Sequence, residues 1–265
     1  MHTTAPESAP PDGSGPSGPS WSTARLASNP HEDAEKARRV QSMFTSIAHA
    51  YDLNNRLHSM WMDQAWRRRA VREVALAPQD EVLDVACGTG DLTEAFARGG
   101  ARRVVGSDYT PAMLDLARAK LARRRTTWPI SYVEADAQAL PFADGSFDVV
   151  SIAFGIRNVT DTGKALSEFR RVLRPGGRLA ILEFGQPAQP MLRWANRLYT
   201  ERIMPVTASL IARDRSGAYA YLPRSVETYL APAALAAAVG QAGFSSVRQV
   251  PMTFGVCVLT LARAS

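Results

Sequence analysis

The chain has 265 residues, 46% of them hydrophobic, with 31 Lys or Arg against 25 Asp or Glu for a net charge of +6. That length suits one α/β domain with an ample core, and two distant cysteines, Cys87 and Cys257, exclude both a disulfide framework and a metal quartet, so no metal is expected. No apolar run approaches a membrane span and the N-terminus lacks the pattern of a secretory signal, so a cytoplasmic protein is expected.

Residues 1–30 hold 22 Pro, Ser, Gly, Thr or Ala, too little apolar surface to offset chain entropy, and are read as a disordered tail before a folded unit at 31–265. Within 31–75, Met43, Phe44, Ile47, Tyr51, Leu57, Met60 and Trp61 recur near helical spacing. Glu81-Val-Leu-Asp-Val-Ala-Cys-Gly-Thr-Gly-Asp-Leu-Thr93 then reads as strand, small-residue turn and helix. Gly88 and Gly90 let the backbone turn sharply and approach a ligand, and the helix N-terminus offers free N–H groups. A dinucleotide site would need a third glycine where Thr93 stands.

Arg103–Asp108 reads as a second strand ending in an acid, at the distance where a βαβ unit sets a carboxylate on ribose hydroxyls; the bland alternative is a strand-end helix cap. Thr110-Pro111 opens a helix from Ala112 to Arg123. Two more strands, from Ile130 and from Ser146, end in polar residues, among them Asp136, placed where an adenine amino group could donate to it. Thr162–Leu173 is a predicted helix, and Gly176-Gly177 a tight entry into a strand Arg178–Phe184.

A helical insertion at 188–220 carries Leu192, Trp194, Leu198, Tyr199, Ile203, Met204 and Leu210, and with the first helices it is expected to wall a substrate site. Ala233–Gln241 reads as a helix, and Ser246–Val250 with Phe254–Leu261 as strands that close the sheet with an antiparallel edge. The basic runs Trp66-Arg-Arg-Arg69 and Arg123-Arg-Arg125 lack interleaved aromatic platforms, so nucleic acid is set aside in favour of attraction to an anionic membrane surface. Cys87 is read as a small strand residue rather than a redox switch.

Six segments occur in the order seen in the ubiquinone/menaquinone biosynthesis C-methyltransferase family: Tyr51-Asp-Leu-Asn-Asn55, Val82–Asp91, Ala139-Leu-Pro-Phe142, Phe154–Asp161, Arg171–Gly177 and Leu182-Glu-Phe184. Ala218-Tyr-Ala-Tyr-Leu-Pro-Arg-Ser225 is similar too, and the resemblance spans roughly residues 40 to 262. It implies a class I methyltransferase that uses S-adenosyl-L-methionine: a Rossmann-like, seven-stranded doubly wound sheet with an antiparallel C-terminal strand and an added helical substrate lid. Gly88, Thr89, Gly90, Asp108, Asp136 and Ala137 then fall on cofactor contacts. The family commonly has a Ser where this chain has Ala153, and Ser-x-Gly-x-His where it has Ser59-Met-Trp61-Met-Asp63.

The implied substrate is a prenylated quinol, reached by peripheral contact with the inner membrane face, and a homodimer is compatible with the sequence. Holding a methyl group against a ring carbon contributes about 7–11 kcal/mol when aligned, and favouring the phenolate supplies nucleophilicity, since a free phenol titrates near 10. Arg157 is the candidate to stabilise that oxyanion; guanidinium chemistry disfavours direct base action. Its structural alternative is an ion pair with Asp161. Tyr51, Asn55 and Asn158 are candidates to position ring oxygens, and His49 and His58 are lesser candidates as bases. Two other readings stay open: a secondary-metabolic methyltransferase on the same scaffold, and a noncatalytic cofactor- or lipid-binding protein.

Overall fold

The computed structural model describes residues 19–214 and 216–265. Four helices come first: α1 (Thr23–Leu26), α2 (Lys36–Ile47), α3 (Tyr51–His58) and α4 (Met62–Val74). Strands and helices then alternate as β1 (Glu81–Val85), α5 (Asp91–Arg98), β2 (Arg103–Asp108), α6 (Pro111–Arg123), β3 (Ile130–Glu134), β4 (Phe147–Ala153), α7 (Thr162–Val172) and β5 (Leu173–Phe184). α8 (Pro190–Leu198) runs through a π-helical turn, Tyr199–Ile203, into α9 (Met204–Ala212). α10 (Ala218–Thr228), α11 (Pro232–Gln241), β6 (Phe244–Met252) and β7 (Cys257–Ala264) complete the order.

The seven strands form one sheet in the order β3-β2-β1-β4-β5-β7-β6, with β1 to β5 parallel and β7 antiparallel between β5 and β6. This is the doubly wound sheet with an antiparallel C-terminal edge that the sequence predicts. Its central strands are apolar on both faces, as a sheet covered on both sides requires. Leu83 and Val150 pack into one layer with Leu166, Phe169 and Leu235, whereas Val82 and Val149 pack into the other with Trp66, Val74 and Phe96. The strand order reverses around β1, so a crevice opens above the C-terminal ends of β1, β2 and β4.

Boundaries differ from the sequence reading where the backbone turns left-handed. Thr253, Phe254 and Gly255 have φ of 47°, 56° and 93°, which breaks the strand expected from Phe254 and delays β7 to Cys257. β5 starts at Leu173 rather than Arg178, because Leu173 already pairs with Phe147 before the register shifts around Arg174–Gly177. Thr110 begins α6 without a side-chain cap bond; Asp108 takes the Thr110 N–H instead.

Residues 19–30, part of the stretch read as a disordered tail, pack against the fold. Residues 1–18 lie outside the described part, but Trp21 is 2% exposed and stacks on Tyr221 with ring centroids 4.6 Å apart. The Trp21 backbone N–H donates to the Ser216 carbonyl at 2.9 Å. A Cβ at Gly217, where φ is 83°, would come within 2.0 Å of the Trp21 carbonyl oxygen, so only glycine permits this docking. Composition counted the small residues and missed one large aromatic that finds a slot. Trp21→Ala should therefore lower the unfolding free energy by about 3 kcal/mol in a urea titration; a loss below about 0.5 kcal/mol would show that the segment contributes no packing.

Candidate functional site

The turn after β1 begins the site. Gly88 has φ of 55°, and a Cβ there would meet nothing nearer than Tyr51 Cε1 at 3.8 Å. Gly90 is glycine for a different reason: a Cβ would lie 2.4 Å from the Tyr132 hydroxyl. Asp108 ends β2 with both carboxylate oxygens fixed, Oδ2 accepting from Gly88 N–H and Oδ1 from Thr110 N–H, each at 2.8 Å. Burial pushes its carboxyl up from the ordinary range. Beyond β3, Asp136 Oδ1 accepts from Gln138 N–H at 2.9 Å beside buried Ala137. Gly88, Asp108, Asp136 and Ala137, with Phe154 and Val40 of α2, line a cavity of about 100 Å3.

Thr89 and Gly90 do not line that cavity. Thr89 Oγ1 instead donates to Asp52 Oδ1 at 2.5 Å, within a network in which Lys120 Nζ reaches Asp52, Thr89 and Asp91, and Arg56 reaches Asp91. Although burial opposes it, the cations Lys120, Arg67 and Arg56 hold the Asp91 carboxyl down at about 2. The network straps α3 over the glycine turn. Below the turn lies Asp84, which the sequence reading passed over: buried, pushed up to about 6 by burial, and accepting from Thr93 Oγ1 at 2.7 Å and Ser151 Oγ at 2.8 Å. An acid inside an apolar strand was the available signal, and Thr93, read only as a missing glycine, is its partner. Burial pushes the Cys87 thiol up, the opposite of a reactive thiolate.

A second cavity of about 530 Å3 lies between the first helices and α8 to α10. Phe44, Tyr51 and Phe154 line both cavities and form the wall between them. Asn55 and Arg157 line the larger one, and Asn158 the smaller, its Oδ1 accepting from the Tyr221 hydroxyl at 2.9 Å. Burial raises the Tyr51 phenol. His58 lines the larger cavity with its ring bonded to the Tyr199 hydroxyl, and burial lowers its pKa; His49 lines neither and bonds the Ala212 carbonyl.

Arg157 is buried, and its ion-pair partner is not Asp161, which caps α7 through the Lys164 N–H, but Glu183 at the end of β5. Arg157 Nη1 donates to Glu183 Oε1 at 2.8 Å and to the Phe154 carbonyl at 2.7 Å, and Nε reaches Ser225 Oγ at 3.4 Å. Nη2 makes no hydrogen bond among the described residues, on a side chain that lines the cavity. Glu183 lies outside the positions that sequence spacing could link to Arg157.

The departures at residues 59–63 acquire a structural meaning. Trp61 sits at φ of 59°, a conformation natural to the family's glycine, and is 56% exposed. Asp63 turns inward, accepting from Ser59 Oγ and Arg67 Nη1, both at 2.9 Å. Arg67 is therefore internal, not part of a solvated basic face. Trp194, placed on the substrate wall by its spacing, points outward at 67% exposure and does not line the cavity.

The chain matches the ubiE/COQ5 methyltransferase family over residues 32–263. It is 48% identical over 218 residues to the demethylmenaquinone methyltransferase of Thermus thermophilus, covering 82% of this chain and 97% of that protein. It is 41% identical over 228 residues to the ubiquinone/menaquinone biosynthesis C-methyltransferase UbiE of Teredinibacter turnerae, covering 85% and 91%. A solved S-adenosylmethionine-dependent methyltransferase from Aquifex aeolicus shares the fold, with a TM-score of 0.55 at 18% identity over 75% of this chain and 89% of that one. The sheet order and the crevice beside β1 are those of a class I methyltransferase. The chain belongs to the ubiE/COQ5 methyltransferase family, and it is an S-adenosyl-L-methionine-dependent C-methyltransferase.

The donor set suits that cofactor: two fixed carboxylates for hydroxyl and amino donors, and a glycine whose missing Cβ leaves the approach open. α2 covers the site, and Lys36 secures it from behind, its buried Nζ donating to the Val159 carbonyl at 2.6 Å. Burial and then neighbouring Arg157 push the Lys36 ammonium down to about 8. The folded pKa lies below the ordinary value of 10.5, so between about pH 8 and 10.5 the unfolded chain holds the extra proton and stability rises with pH. Denaturant titrations across that window should show this rise in the wild type and a flatter dependence in Lys36→Met; equal slopes would place the ammonium in a solvated environment.

Proposed function

We propose that the enzyme methylates a ring carbon of a demethylmenaquinol, or of a related polyprenyl benzoquinol, with the cofactor in the smaller cavity and the quinol in the larger. The observation that carries this reading is the common wall: Phe44, Tyr51 and Phe154 bound both cavities, with Arg157 beside them. The names of the relatives support the quinol, and about 530 Å3 is ample for a ring and the first part of a prenyl chain.

Bound S-adenosyl-L-methionine supplies a methyl group on a sulfonium, an electrophile that needs no covalent help from the protein. Asp108 would hold its ribose hydroxyls and Asp136 its adenine amino group, each carboxylate already oriented by backbone N–H donors. Gly88 would allow close approach and Ala137 would face the adenine, while Thr89 and Gly90 hold the turn in shape. Ala37, Val40 and Phe44 of α2 close one side of the smaller cavity, which measures about 100 Å3.

Tyr51 and Asn55 orient the ring oxygens, and Asn158 fixes the loop between the two cavities. Arg157 directs Nη2 at a ring oxygen and favours its ionised form; with the hydroxyl proton lost to water the neighbouring ring carbon becomes the nucleophile that bonds the methyl carbon as its bond to sulfur breaks, S-adenosylhomocysteine is released, and the ring C–H proton passes to water. Residues 31–265, with Trp21 packed onto them, act as one methyltransferase domain that works from the cytoplasm at the inner membrane face, a homodimer being compatible with the reading. No helix among the described residues is long and apolar enough to cross a membrane.

The test is transfer of a labelled methyl group from the cofactor to a demethylmenaquinol, with product analysis placing the label on ring carbon. Absence of transfer to any prenylated quinol contradicts the assignment. Arg157→Ala should lower methyl transfer by about 10²–10³ and Arg157→Lys by less, both with near-normal cofactor affinity and with partial recovery of the Ala variant at higher pH. Removing one partner of a buried pair costs about 3–5 kcal/mol, so melting is measured alongside, and a loss that tracks unfolding would make Arg157 structural. Asp108→Ala should weaken cofactor binding at least about tenfold by calorimetry, the value of one charge-assisted hydrogen bond; unchanged affinity removes Asp108 from the site.

A further inference from the structure

Arg67 of α4 lines the larger cavity together with Arg157, and the two arginines are held in the same way. Arg67 Nη1 donates to a carboxylate and a backbone carbonyl, Asp63 Oδ2 at 2.9 Å and Asp63 O at 3.1 Å. Arg157 Nη1 does the same with Glu183 Oε1 and the Phe154 carbonyl. Each guanidinium also lies over an aromatic face, Arg67 5.3 Å from the Phe154 centroid and Arg157 5.3 Å from that of Phe184, and those two rings pack on each other. Both side chains are buried. Two cations therefore bracket one pair of aromatic rings on the wall of a single chamber.

A guanidinium is a donor-only group with five N–H bonds, and Asp63 occupies one end of Arg67. Nε and Nη2, which share the other edge, make no hydrogen bond among the described residues, and neither is sealed in protein. Asp84 and Asp91 lie close enough for their carboxyls to feel the Arg67 charge, but their oxygens bond other groups: Asp84 takes Thr93 and Ser151, and Asp91 takes Lys120, Arg56 and Gln64. A charged donor edge held in place in a buried site calls for an acceptor. The Tyr51 phenol, raised by burial, is drawn back down by both Arg67 and Arg157, so one phenol oxygen on the shared wall already stands within electrostatic reach of the two cations.

We infer that Arg67 donates from Nε and Nη2 to a second oxygen of the methyl acceptor, the one across the ring from the oxygen that Arg157 ionises. The inference rests on the ring methylation proposed above and narrows its substrate to rings whose two oxygens stand para to each other. A ring with a single hydroxyl would leave one buried guanidinium without an acceptor, and two adjacent oxygens would serve one arginine and miss the other. Anchors on opposite sides of a flat ring also stop it turning in its own plane, which one anchor leaves free, and that is the alignment methyl transfer needs. The carboxylate of the cofactor's amino-acid portion is the competing acceptor; Arg67 lines the larger cavity and not the smaller one, which favours the ring.

The test is a cycle of two enzymes and two ring substrates, a short-chain demethylmenaquinol and its analogue with hydrogen in place of the hydroxyl para to the activated one. On the quinol, Arg67→Met should lower kcat/KM about tenfold or more, the value of one charge-assisted hydrogen bond. The wild type should lose a similar factor when the para hydroxyl is removed, and removing both partners should cost no more than removing either. Because Arg67→Met leaves the Asp63 carboxylate buried without its cation, the double variant Asp63→Asn, Arg67→Met is assayed beside it with melting followed in both. Losses equal on the two rings, or losses that track unfolding in both variants, would overturn the inference. Calorimetry with S-adenosylhomocysteine and with 5′-methylthioadenosine, which lacks the carboxylate, should give the wild-type ratio of affinities in Arg67→Met; a loss confined to S-adenosylhomocysteine would assign Arg67 to the cofactor and overturn it too. A wild type that methylates neither ring sinks the substrate reading and this inference together, whereas a para-hydroxyl effect of the same size with and without Arg67 sinks this inference alone.

Discussion

Burying a guanidinium and a carboxylate together, at Arg157 and Glu183, is the constraint around which the site is arranged. Neither charge tolerates that position alone, because an unpaired buried ion costs several kcal/mol. The pair therefore ties the loop after β4 to the end of β5, and through Ser225 to α10. The same Nη1 holds the carbonyl of Phe154, a bulky residue at φ of 58° that would otherwise relax. Phe154 packs on Phe184 with centroids 4.6 Å apart and has Arg67 over its ring at 5.3 Å. An aromatic fixed from three sides is what allows one residue to serve as a wall for two cavities.

The rest of the enclosure combines packing with polar ties. Val40, Met43 and Ile47 of α2 are buried against Met204, Ala208, Tyr219 and Tyr221 of α9 and α10. Hydrogen bonds add to this from Lys36 to the Val159 carbonyl, Gln41 to the Tyr109 carbonyl, and between Asp52, Thr89 and Lys120. The division of labour follows: the C-terminal edge of the sheet presents Asp108 and the glycine turn, and packed helices cover them.

The sheet was legible because its strands are short apolar runs between turn residues, and the strand-turn-helix beginning at Glu81 has one sterically reasonable reading. Asp108 and Arg157 were singled out by position along the chain, but the partners they bond in the structure were not. Glu183 sits 26 residues beyond Arg157 and meets it only because β4 and β5 are neighbours. Nothing in the sequence set Lys36 apart from the other cations, and only its place on α2 buries it. Trp21 was hidden by the composition around it, and Trp194 was misplaced because periodicity marks the apolar face of a helix without saying whether that face meets the core or something outside the chain.

The central claim is that the methyl donor and the ring occupy separate cavities across the wall of Tyr51 and Phe154. A co-crystal structure with S-adenosylhomocysteine and a short-chain quinol tests it most directly. The account predicts the adenosine beside Asp108 and Asp136, its sulfur directed at that wall, and the ring in the larger cavity within hydrogen-bond reach of Arg157. Adenosine seated in the larger cavity, or a ring bound away from Arg157 with Tyr51 and Phe154 untouched, would contradict it.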